Sequence, residues 1–97
     1  MEPVRITLLG KPGCHLCDDA RAAIEQVCAQ LAQDKIATEL IELNILEDEG
    51  LARLHSEEIP VVRIGEKRHA IWRVDPVKFD AAVRRAARSS KSSFWRR

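Results

Sequence analysis

The sequence predicts an α/β domain: a mixed four-stranded sheet in β-α-β-α-β-β-α order, with helices on both faces. Three observations carry this expectation. An apolar run near the N-terminus leads into a stretch of helical period and then a second strand, the unit that sets two strands side by side in parallel. Two later apolar runs are joined by a short turn with glycine, which makes them antiparallel. The 97 residues suit one domain, and no segment repeats.

Each element has its own signals. Residues 4–9 (Val4-Arg5-Ile6-Thr7-Leu8-Leu9) read as a buried strand bounded by Gly10 and Pro12-Gly13. Residues 15–33 read as a helix, because Ala20, Ile24, Val27 and Leu31 fall on one face. Residues 38–43 form the second strand. A short helix over roughly 47–55 follows, with Leu51 and Leu54 expected to face inward and Gly50 weakening its start. Pro60 opens the third strand, Val61 to Ile64. Gly65-Glu66-Lys67-Arg68 is expected to turn into a fourth strand from His69 to Val74. Asp75-Pro76 starts the last helix, since Asp75 can cap free N–H groups and Pro76 suits the first helical position. Phe79, Ala82, Val83 and Ala86 then line one face. Residues 1–88 are expected to be the domain. Residues 89–97 lose periodicity and are expected to form a loose basic tail.

Composition narrows the function classes. A hydrophobic fraction of 45% and a charged fraction of 32% with mixed signs suit a packed domain, not a disordered chain. No apolar run approaches the ~20 residues of a membrane span. Met1-Glu2-Pro3 does not resemble a secretory leader, so a cytoplasmic location is expected. The net charge of +1 divides unevenly: residues 84–97 carry six basic groups and no acid, leaving residues 1–83 at −5. The basic end, with Phe94-Trp95, is read as a solvated segment. Neither nucleic acid nor membrane is an expected partner, and a monomer is expected.

The chemistry concentrates in Cys14-His15-Leu16-Cys17. Two thiols two residues apart, at a strand-to-helix junction, suit dithiol–disulfide exchange. A helix dipole favours the thiolate at the first position, while Asp18 and Asp19 oppose it by charge. Cys14 is the expected nucleophile and Cys17 the resolving thiol. His15 could support the thiolate as an imidazolium. Cys28 reads as a buried inert thiol, and His55 and His69 as surface residues. One CxxC, a lone Cys28 and scattered histidines do not make the ligand pairs of a zinc site, so no metal is expected.

Together, the CxxC after the first strand, Ile59-Pro60-Val61-Val62 and Ile71-Trp72 before a capped helix resemble the glutaredoxin-like family of the thioredoxin fold. The match centres on residues 8–20 and covers about residues 4–88. The resemblance implies a thioredoxin-like fold and thiol–disulfide oxidoreductase activity on protein or glutathione mixed disulfides. It implies a cis Ile59-Pro60 bond beside the thiols. Lys11 would contact an anion, and His15, Leu16, Ile59, Pro60 and Val61 would line the substrate groove. No bound cofactor is implied; glutathione or a partner reductase would supply electrons. Two departures stand out. His15-Leu16 replaces the Pro-Tyr usual between the cysteines of such proteins. Arg73-Val74-Asp75-Pro76 stands where a Gly-Gly and acidic pair usually receive glutathione. The alternative is a non-catalytic binding module of the same fold, holding a peptide, a metal or an iron–sulfur cluster. Cys17 discriminates, because such a module needs no resolving thiol.

Overall fold

The computed structural model describes residues 3–95, with side-chain surroundings through Arg88. Strand β1 (Val4–Gly10) alternates its side chains between two cores. It leads into helix α1 (His15–Gln33), then β2 (Thr38–Asn44), a 3-10 turn (Ile45–Glu47) and a short helix α2 (Glu49–His55). Strands β3 (Val61–Ile64) and β4 (Lys67–Ile71) follow, then α3 (Pro76–Trp95). The sheet order is β2-β1-β3-β4, with β1 parallel to β2 and the other pairs antiparallel. The β-α-β-α-β-β-α element order, the parallel first pair and the antiparallel last pair are as expected from the sequence.

Period-2 alternation decides which residue faces which helix. Val4, Ile6 and Leu8 of β1, with Val62 and Ile64 of β3, pack under Ala20, Ile24, Val27 and Leu31 of α1 and Phe79 and Val83 of α3. Leu9 and Val61 point the other way, toward Ile45, Ile59 and Leu51 of α2. Helices therefore cover both faces. Arg84 ties α3 to the end of α1, bonding Asp80 at 2.7 Å and Asp34 at 2.6 Å.

Four local expectations are corrected. Strand β4 spans Lys67–Ile71, not His69 to Val74. The turn is tighter, with Gly65 at φ +62°, and the strand is stopped by Trp72 at φ +67° and a bond from the Arg73 N–H to the Ile71 carbonyl, 2.8 Å. A left-handed backbone costs a non-glycine residue on the order of 1–3 kcal/mol. The inward face of α2 is Leu51 and His55, four residues apart. Leu54 is 70% exposed and His55 is buried, with its ring nitrogens 3.4 Å from Glu58 and 3.3 Å from Arg63. His69 is half-buried, not a surface residue; the β3–β4 register skips it, and its ring lies edge-on to Phe79 at 5.7 Å. The backbone of α3 continues as helix to Trp95, where a loose segment from residue 89 was expected; the side chains of that segment lie outside the described residues. No helix among the described residues is long and apolar enough to cross a membrane.

Candidate thiol site

The end of β1 delivers the chain to the start of α1, and Cys14 is the residue that caps that helix. Its backbone is extended, at φ −94° and ψ 111°, and its sulfur accepts the Cys17 N–H at 3.2 Å. A sulfur thus takes the place that a Ser or Asp oxygen usually fills at a helix N-terminus. The two thiols differ sharply in surroundings. Cys14 is half-buried, whereas Cys17 is 1% exposed. All three cysteines are free thiols.

Cys17 sits among Leu9, Ile45, Ile59 and Val61, with Cys14 and Ile71 at the margin of the same cluster. The structure therefore brings Cys14, Cys17, Ile59 and Val61 together, and Pro60 is fully buried between the last two. The Ile59-Pro60 bond is cis, as expected. His15 and Leu16 stand exposed on the first turn of α1. His15 has no hydrogen-bond or ion-pair partner among the described residues. Lys11 lines an open cavity of about 230 Å³ with Gly10, Cys17, Arg21, Glu42 and Asn44. Cys28 is half-buried against the main core, less enclosed than expected.

Two features of the site escaped the sequence. Arg21 bonds Asp18 at 2.9 Å and Glu42 at 2.7 Å, so the charge of Asp18 is shared with a guanidinium rather than opposing Cys14 alone. Spacing could have suggested the Asp18–Arg21 pair, but Glu42 lies on β2 and only the fold brings it near. Gly10 lies directly under the Cys17 thiol, where an added Cβ would come within 2.8 Å of the sulfur. No local pattern marks it beyond its place at a strand end.

Burial is the main force on the Cys17 thiol. Together with the hydrogen bond to Cys14 and the charges of Cys14 and Asp18, it pushes the pKa from 9.0 up to about 11, opposed by the Lys11 backbone. The unfolded chain loses this proton first. Between pH 9 and about pH 11 the native state therefore holds more protons, and the stability of the reduced protein falls as pH rises. The expected loss is on the order of 2 kcal/mol, complete above the native pKa. Urea unfolding of the wild type and Cys17→Ala at about pH 8 and about pH 10.5 checks this. The wild type should lose stability relative to the variant over that step, and parallel behaviour would refute the assignment.

Among the described residues, no group of three or more His, Cys, Asp or Glu side chains is arranged to hold a metal ion. A family model described as Glutaredoxin-like domain (DUF836) matches residues 5–84. No curated protein matches the chain. Among solved structures, protein Ne2328 from Nitrosomonas europaea is 28% identical; the match covers 84% of this chain and 93% of that one, with a TM-score of 0.64. The X-ray structure of protein XcR50 from X. campestris is 27% identical over 80% of this chain and 93% of that one, with a TM-score of 0.65. The solution structure of XcR50 gives 27% identity over 80% and 90%, with a TM-score of 0.63.

Proposed function

The chain belongs to the glutaredoxin-like domain family, and from that membership we propose that it is a thiol–disulfide oxidoreductase acting on protein or glutathione mixed disulfides. The observation that carries the proposal is the asymmetry of the thiol pair: a half-exposed Cys14 capping α1, with Cys17 buried directly behind it.

The reaction follows from that asymmetry. The Cys14 thiolate attacks one sulfur of the substrate disulfide. A Cys14–substrate bond forms, the substrate S–S bond breaks, and the first substrate thiol departs with a proton. Cys17 then gives up its proton and attacks the Cys14 sulfur. The Cys14–Cys17 disulfide forms and the second substrate thiol leaves. Two electrons and two protons have moved from protein to substrate. Burial disfavours the Cys17 thiolate, so the exposed thiol reacts first. In this reading Ile59, Pro60 and Val61, packed behind the thiol pair, and the exposed His15, Leu16 and Lys11 make up the substrate site. The proposal includes a reducing, cytoplasmic setting, a monomer, no resident cofactor, and electrons from glutathione or a partner reductase.

Equilibration in glutathione redox buffers, followed by thiol trapping and intact mass, tests the reading. A loss of two hydrogens at Cys14 and Cys17, with a midpoint between roughly −180 and −270 mV, is the expected result. Absence of that disulfide at every poise would overturn it.

A further inference from the structure

Arg21 holds two carboxylates at once. Its Nη1 donates to Asp18 at 2.9 Å and its Nε to Glu42 at 2.7 Å. The fold gains little from these bonds. The side chains of Arg21, Asp18 and Glu42 are 36%, 62% and 44% exposed, and such pairs contribute ~0–1 kcal/mol each. Their place says more. All three residues line the open cavity of about 230 Å³ whose lining also includes Cys17, Gly10 and Asn44, but not Cys14. Arg21 follows Cys17 by four residues in α1, so it stands one turn along on the same helix face, ~5–6 Å away at Cβ.

Charge decides what the cluster does there. Burial comes first among the forces that keep the Cys17 thiol protonated, and the charge of Asp18, the next residue, adds to it. The same charge opposes the step in which Cys17 acts. In that step the Cys17 S–H proton passes to solvent and the Cys17 sulfur bonds to the Cys14 sulfur. The Cys14–substrate bond breaks, and its electron pair leaves with the substrate thiolate. Negative charge is carried on sulfur beside Asp18 throughout. A guanidinium 2.9 Å from that carboxylate sets a positive charge against it. Glu42, on the neighbouring β2, braces the guanidinium from the other side.

We propose that Arg21 is a positioning residue for the resolving step: by engaging Asp18 it offsets the carboxylate charge beside Cys17 and eases the attack of the buried sulfur on Cys14. This rests on the oxidoreductase reading and assigns a residue to its second half-reaction. The Asp18–Arg21 bond carries the effect, and the Arg21–Glu42 bond is dispensable to it.

The test follows the two thiols separately with dipyridyl disulfide, an uncharged reagent whose released thiopyridone absorbs in the ultraviolet. Every protein carries Cys28→Ala, which leaves Cys14 and Cys17 as its only thiols. The first release, by Cys14, scales with reagent concentration; the second, by Cys17, is intramolecular and does not. Arg21→Gln should slow the second release about three- to fivefold, the scale of one partly exposed charge pair. In an Asp18→Asn background the same substitution should have little effect, because the charge it offsets is gone. Arg21→Lys keeps the cation and should recover most of the loss. Glu42→Gln weakens the tie to β2 but keeps Asp18–Arg21, so it should not slow the second release. A cluster that only fastens α1 to β2 predicts the opposite: similar losses in Arg21→Gln and Glu42→Gln, with no dependence on the Asp18 charge. A ratio below about twofold between the Arg21→Gln losses with and without Asp18 overturns the proposal alone, as does a loss in Glu42→Gln as large as that in Arg21→Gln. If Cys14 and Cys17 with Arg21 intact give no concentration-independent release at all, the oxidoreductase reading falls with it.

Discussion

Cys17→Ser is expected to turn the protein from a catalyst of disulfide reduction into a trap for its substrates. Cys14 remains half-exposed at the helix N-terminus and still attacks, so the mixed disulfide still forms. No second thiol stands behind it to complete the exchange. Cys28, the only other cysteine, packs on the opposite face of the sheet with Ile24 and Leu31 and cannot substitute. In a single turnover of the pre-reduced protein, release of the fully reduced substrate should fall at least ~100-fold, equivalent to about 3 kcal/mol of barrier. The substrate adduct should accumulate to one per chain by intact mass. Cys14→Ser should abolish exchange, falling at least ~1,000-fold, and give no adduct, because the buried Cys17 keeps its proton up to about pH 11 and is not presented to solvent. Cys17→Ser places a hydroxyl where the buried sulfur stood, at a cost of ~1–3 kcal/mol. A pre-reduced Cys17→Ser protein that releases fully reduced substrate at the wild-type single-turnover rate would remove the resolving role.

The fold was legible because its signals are local. The 3.6-residue spacing of Ala20, Ile24, Val27 and Leu31 predicts a buried face, and all four are buried. Asp75 caps α3 through bonds to the Val77 and Lys78 N–H groups at 2.9 and 3.3 Å, as its place before Pro76 implies. Expectations failed where tertiary contacts overrode local pattern. Leu54 looks like a core residue by composition, yet α2 is only seven residues long and turns His55 inward to meet Glu58 and Arg63. Strand β4 ends early because Trp72 adopts a backbone that no propensity scale assigns to tryptophan. The site divides in the same way. Cys14 and Cys17 are adjacent on one turn and can be read from spacing. Their neighbours Ile59 and Val61 were reachable only through a family resemblance. Arg21–Glu42 and the contact of Gly10 with Cys17 join elements whose proximity depends on the sheet order.

Gly10 therefore supports the second large prediction. A Cβ at Gly10 would lie 2.8 Å from the Cys17 sulfur and 3.2 Å from its Cβ, inside the ~3.5–4.0 Å at which nonbonded atoms rest. Neither side can yield cheaply. Gly10 is held in register with Asn44 at the end of β1, and Cys17 is fixed in the first turn of α1 among Leu9, Ile45, Ile59 and Val61. Gly10→Ala should thus cost ~1–3 kcal/mol by overpacking, a Tm drop of ~4–8 °C per kcal/mol in a domain of this size. The strain falls on the thiol that must reach Cys14, so the Cys14–Cys17 disulfide should also close more slowly, given its narrow geometric tolerance. Cys17→Ala supplies the decisive comparison, because it removes the sulfur and leaves the backbone in place. If the clash is the cause, the double variant Gly10→Ala/Cys17→Ala should be more stable than the sum of the single losses by ~1 kcal/mol or more. Additivity within about 0.5 kcal/mol would show that Gly10 acts through the strand backbone and not through the thiol. The pairing explains why a site with only two reactive atoms needs a third residue without a side chain: the resolving thiol can be buried behind the attacking one only if the strand beneath it leaves room.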